Sequence, residues 1–197
     1  MNDKKKKRKT VFTILLLLLS LGFLILMVIS PVFFEWTFSR HQNILSWYIR
    51  PLFLIPFCVF AYKRNPFGIA LTIFLLLTSM FWFPKPVVIS EQVQTFLAME
   101  KQYLLYNWNL PKVLITLLVP LSLGLLGRAF WVRSVKSGFA ILFIIALAKI
   151  FWSIIEGGRA GLSVIIPAMI GLLLCIIILL FFLQKSNQRK TTKENKE

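Results

Sequence analysis

Apolar residues run along this chain in long blocks, without the regular polar interruptions of a soluble helix. The blocks cover about 11–34, 44–62, 66–83, 113–132, 138–155 and 160–183. A helix needs roughly 20 apolar residues to cross the ~30 Å hydrocarbon core. The pattern therefore predicts an all-α integral membrane bundle of six transmembrane helices, a single membrane domain over 11–184. Between the third and fourth blocks, residues 87–108 alternate in character. At 100° per residue Val93, Phe96, Leu97, Leu104 and Trp108 fall on one arc, the signature of an amphipathic interfacial helix. Ser90 is its expected N-cap, with Glu91 in the first turn.

The breaks refine this outline. Arg50, Pro51 and Pro56 interrupt the second block and predict a kink or a broken first turn. A span starting at Pro51 would reach only about 18 Å before Tyr62, so Arg50 is expected below the interface. The first block is about twice the length of a signal h-region, and Ser30-Pro31 is no small-residue cleavage site, so an uncleaved span is expected. Glu35 to Asn43 is expected as a polar connection, and Glu156-Gly157-Gly158-Arg159 as a tight turn. Residues 1–10 and 185–197 are expected as basic cytoplasmic tails, the second one disordered.

Composition agrees with a membrane location. With 58% hydrophobic residues in 197, a soluble domain would leave much apolar surface in water. The net charge of +16 could suggest nucleic acid, but 11 of the 23 Lys and Arg residues lie in the two tails, flanking apolar spans. There they set topology and meet anionic headgroups. With six spans, 16 basic residues fall on the side of the termini. Only Arg40, Lys85, Lys101, Lys112 and Arg159 fall on the other side. The positive-inside rule then places both termini in the cytoplasm, in what reads as a bacterial plasma membrane. Cys58 and Cys175 have no ligand-spaced neighbour and read as packing residues.

Candidate chemistry collects on the opposite, outer side. Trp36, Trp47, Trp82, Trp108 and Trp152 belong there, as do Glu35, Glu91, Glu100, Glu156 and the only histidine, His41. Arg50 and Lys149 lie within spans, where a cation costs about 2.5–3.5 kcal/mol on insertion scales, so each needs a partner or a hydrated cavity. Asn43, Ser46, Trp47 and Phe57 share the face of Arg50, and Trp152, Ser153 and Glu156 share that of Lys149. Glu100 falls inside the apolar arc of the interfacial helix. It is expected to turn inward to Arg40, Arg50 or Lys85, as a structural ion pair or as part of a site.

Several enzyme classes lack their residues. One histidine excludes multi-histidine metal sites, the sole aspartate lies in the N-terminal tail, and no GxxxxGK or GxSxG turn occurs. No cofactor, metal or nucleic-acid partner is expected. The first functional expectation is recognition, and passage, of a small anionic or zwitterionic amphiphile: a lipid headgroup, an envelope intermediate or a nutrient. Its ligand-binding candidates are Arg40, Arg50, Trp47, Trp82, Lys85, Glu100, Lys149, Trp152, Glu156 and Arg159. One alternative is an enzyme on a lipid-linked substrate, with His41 and Glu35 or Glu100 as acid and base. The other is a non-catalytic accessory subunit of a membrane complex, bound to another membrane protein or to a second copy. In topology and size, though through no motif, the layout is similar to the six-span substrate-capture subunits of energy-coupling-factor vitamin transporters.

Overall fold

The computed structural model describes residues 3–194; residues 1–2 and 195–197, the extremities of the two basic tails, lie outside the described residues. The described chain is helical, without strands. Its helices are α1 (Asp3–Ile29), α2 (Pro31–His41), α3 (Leu45–Leu52), α4 (Leu54–Tyr62), α5 (Pro66–Thr78), α6 (Glu91–Leu105), α7 (Leu110–Trp131), α8 (Val135–Gly161) and α9 (Ile165–Glu194).

Four stretches are long and apolar enough to cross a membrane: Asp3–Ile29, Leu45–Tyr62, Leu110–Trp131 and Val135–Ser186. The last has 52 residues, too many for one crossing, and it folds back at Gly158. Leu142, near its start, shares one core with Leu179 and Leu183 near its far end. Such packing requires α8 and α9 to run antiparallel. The third apolar block is shorter than the sequence suggests. Its 13-residue α5 spans about 20 Å and ends in a 3-10 turn at Ser79–Phe81.

Proline and its capping partners explain the boundaries. Ser30 Oγ accepts from Phe33 N while Pro31 occupies the first turn, so the first block stops at Ile29 and a separate helix begins. The expected polar connection Glu35–Asn43 is therefore mostly helical, and the first span does not extend to Phe34. The second block is interrupted at Phe53, between Pro51 and Pro56, where one helix ends and the next begins while the backbone stays in the right-handed region. Pro51 packs on Gly171 of α9, and the Cys175 thiol donates to its carbonyl at 3.3 Å. Cys58 and Cys175 are buried and unpaired to each other. The expected disorder after Gln184 is corrected as well: α9 continues as helix to Glu194.

Two cores stack along the bundle. One joins Phe57, Cys58, Ala61 and Tyr62 of α4 to Leu126 and Phe130 of α7, Leu142 of α8, and Leu172 and Leu179 of α9. At its end Arg64 Nε donates to Trp131 O at 3.2 Å, Arg133 lies over Tyr62, and Lys63 lies over Phe182. The second core caps the opposite end: Phe34 and Phe38 of α2, Trp47 of α3, Val93, Phe96 and Leu97 of α6, with Ala160 and Val164. The helix expected over 87–108 forms over the shorter range Glu91–Leu105, with Ser90 Oγ accepting from Val93 N at its start.

Candidate functional site

The cap positions the site. Helix α2 buries Phe34, Thr37, Phe38 and His41, the i, i+3, i+4, i+7 stripe of an amphipathic helix, and leaves Glu35 and Trp36 outside. Helix α3 returns immediately after a short turn and buries Ser46 and Trp47. His41 and Ser46 face each other across this turn, with Nδ1 to Oγ at 2.8 Å. Ser46 Oγ donates its proton to Asn43 O at 2.7 Å, so its lone pair must accept from His41 Nδ1–H. That leaves Nε2 with a lone pair, and Arg50 Nη1 donates to it at 3.3 Å. Trp47 Nε1 donates to His41 O at 3.0 Å and fixes the turn.

His41 must be neutral in this network. Burial, followed by the charges of Arg50 and Lys149, holds its pKa well below the usual histidine range. The expected acid–base pairing with Glu35 or Glu100 does not form, because each carboxylate is engaged elsewhere. Glu35 pairs with Lys101 on the rim, and Glu100 pairs with Lys149 at 2.9 Å. The partner on the far ring nitrogen is a cation, which weakens the imidazole as a base; a carboxylate there would strengthen it.

Arg50 differs from the other cations of the cap. Its half-buried guanidinium offers five donors, and the one hydrogen bond it makes goes to a neutral ring. Among the described residues the ion pairs are Lys101–Glu35 and Lys149–Glu100, so no carboxylate lies within 4 Å of Arg50. Glu100 acts on it only at longer range.

Glu100 does turn inward from the apolar arc, with its side chain 18% exposed. Its partner is Lys149, however, and not Arg40, Arg50 or Lys85. Lys149 also lies over the Trp152 ring at 4.6 Å and the Phe96 ring at 5.5 Å, half open to the exterior. Arg40 donates to Phe81 O at 2.8 Å and lies over Trp36, so it clamps α2 to the Ser79–Phe81 turn. Trp82 is exposed, set against the edge of Phe53, and donates to Thr78 Oγ1 at 3.2 Å. Lys85 and Arg159 are exposed on the surface. Of the residues the sequence singles out, the structure brings together His41, Trp47, Arg50, Glu100, Lys149 and Trp152.

Glu156 lies elsewhere. It lines a cleft of about 500 Å³ between the end of α6, the start of α7 and α8, together with Tyr103, Tyr106, Asn107 and Lys112. The sequence shows Lys112 only as one of the few outer charges. Its signal is the cap before it: Asn109 Oδ1 accepts from Lys112 N and Pro111 sits in the first turn, which fixes Lys112 at the helix start.

No family model, curated protein or solved structure matches the chain. The geometry of the cap therefore carries the functional reading.

Proposed function

We propose that the chain is a six-span membrane protein whose outer cap binds, and passes, a small anionic or zwitterionic amphiphile. Arg50 is the observation that supports this most directly. A guanidinium below the cap, with one neutral partner and no carboxylate, has unused donors suited to a phosphate or carboxylate. Counting Arg50, Lys149 and Glu100 with His41 neutral, the cluster keeps one positive charge, and Trp47 and Trp152 supply apolar walls for an acyl or ring moiety. A purely structural role for Arg50 would be expected to pair it as Lys149 is paired. Lipids that co-purify with the protein, read by native mass spectrometry, test the proposal. Wild type is expected to retain an anionic adduct that Arg50→Leu loses and Lys85→Ala keeps. Identical adducts on all three proteins would remove Arg50 from any binding role.

The six-span topology is supported by how the ends sort. Lys63, Arg64, Arg133 and the far part of α9 gather at one end, while Arg40, Glu35, Lys101 and the start of α7 gather at the other. The basic end would face the cytoplasm. Single cysteines at Lys63 and Lys136 should resist an impermeant thiol reagent in intact cells, whereas cysteines at Gln92 and Arg159 should react. Labelling of Lys63→Cys from outside would reverse the orientation and place the Arg50 cluster on the cytoplasmic side.

A further inference from the structure

The α6–α7–α8 cleft lies across the Tyr103–Trp152 ring pair, centroids 5.1 Å apart, from Lys149. Its chemistry differs from that around Arg50. Lys112 stands in the first turn of α7, where the helix dipole disfavours a cation. It is nevertheless buried. Its Nζ donates to Tyr106 O, and it lies 4.5 Å from the Tyr103 ring centroid and 4.9 Å from that of Trp108. One of its three donors is thus engaged, and the rings hold the charge in place by cation–π attraction. Glu156, exposed on α8, lines the same cleft. The two opposite charges form no ion pair with each other, nor does either pair with any other described residue. Around them stand the phenol rings of Tyr103 and Tyr106 and the carboxamides of Gln102 and Asn107. The Tyr103 hydroxyl is buried without a hydrogen-bond partner.

A cleft lined by a held cation and an unpaired carboxylate that do not neutralise each other is complementary to a ligand carrying both charges. We infer that this cleft is a second binding site, for a zwitterion with a phosphate-like group and an ammonium, the chemistry of a phosphoethanolamine headgroup or of its free soluble form. Lys112 and the Asn107 amide face the anionic group. Glu156 meets the ammonium, and the Tyr106 ring gives it an apolar, π-rich wall. The site is independent of Arg50 and stands whether or not Arg50 holds an anion.

The test uses full-length protein in detergent, with tryptophan fluorescence reporting from Trp108 and Trp152. O-phosphoethanolamine is expected to bind at least about tenfold more tightly than inorganic phosphate or ethanolamine alone, the difference one charge-assisted hydrogen bond supplies. Glu156→Gln, a change at an exposed position, should abolish that preference without weakening phosphate binding. Arg50→Leu should not alter it. A parallel arm compares thermal midpoints in nanodiscs of phosphatidylethanolamine and phosphatidylglycerol. A stabilisation by the ethanolamine lipid that Glu156→Gln removes assigns the ligand to the bilayer, and a response to the soluble zwitterion alone assigns it to solution. Absence of any zwitterion preference in both arms, or a preference that survives Glu156→Gln, overturns the site.

Discussion

Phe96→Ala is expected to destabilise the cap by about 3–5 kcal/mol, the cost of removing a fully buried phenyl from a packed core. Phe96 is 2% exposed and stands where three elements meet. It meets Trp47 edge-on at 5.5 Å, it underlies Lys149, and Gly157 approaches its ring closely enough that a Cβ there would collide. The helix that carries it is short and only partly apolar, so docking depends on Val93, Phe96 and Leu97. Removing the middle anchor should release α6 and, with it, the Glu100–Lys149 pair. Leu104→Ala is the matched control, since Leu104 is 39% exposed on the same helix. Thermal unfolding in detergent should show a large drop for Phe96→Ala and little change for Leu104→Ala. Equal drops would mean that α6 is held by its general apolarity and not by this contact.

The cap also shows what a linear reading reaches and where it stops. Boundaries set by local chemistry were legible: the Ser90 cap, the interruption between Pro51 and Pro56, the Gly157-Gly158 turn. Ser30-Pro31 carried an equally local signal, a capping serine before a first-turn proline, but the apolar residues beyond it, Val32 to Phe34, extend the hydropathy block and mask the new helix. Periodicity also placed Glu100 on the inward arc of α6. It pointed to the wrong partners, because depth alone favours Arg40, Arg50 and Lys85 over Lys149, which lies farther into its span, and hydropathy gives depth without the rotation of each helix. The His41–Arg50 contact spans nine positions and exists only because the chain turns between α2 and α3. No helical repeat encodes such a contact. The Lys112 cleft depends on three elements distant in sequence and was legible only as a single charge.

Gly158→Val is expected to cost at least about 1–3 kcal/mol and to disrupt the fold between α8 and α9, because the backbone there has no alternative residue type. Gly158 has φ 51° and ψ −129°, a conformation in which a Cβ clashes with the adjacent peptide and which β-branched residues avoid most. No other heavy atom lies within 4 Å of an added Cβ, so the penalty is conformational and not one of packing. Without this reversal α8 would run on into α9 as one apolar stretch of 52 residues, about 78 Å if straight, more than twice the hydrocarbon core. The reversal is therefore what allows both ends of that stretch to lie in the same core, with Leu142 beside Leu179. Gly124→Ala serves as control: it lies inside α7 with open space around it and should be neutral or slightly stabilising. Folded yield and unfolding midpoint in detergent measure both variants. A Gly158→Val protein as stable as wild type would require a different path between α8 and α9, and the proposed six-span topology would lose the turn that separates its last two spans.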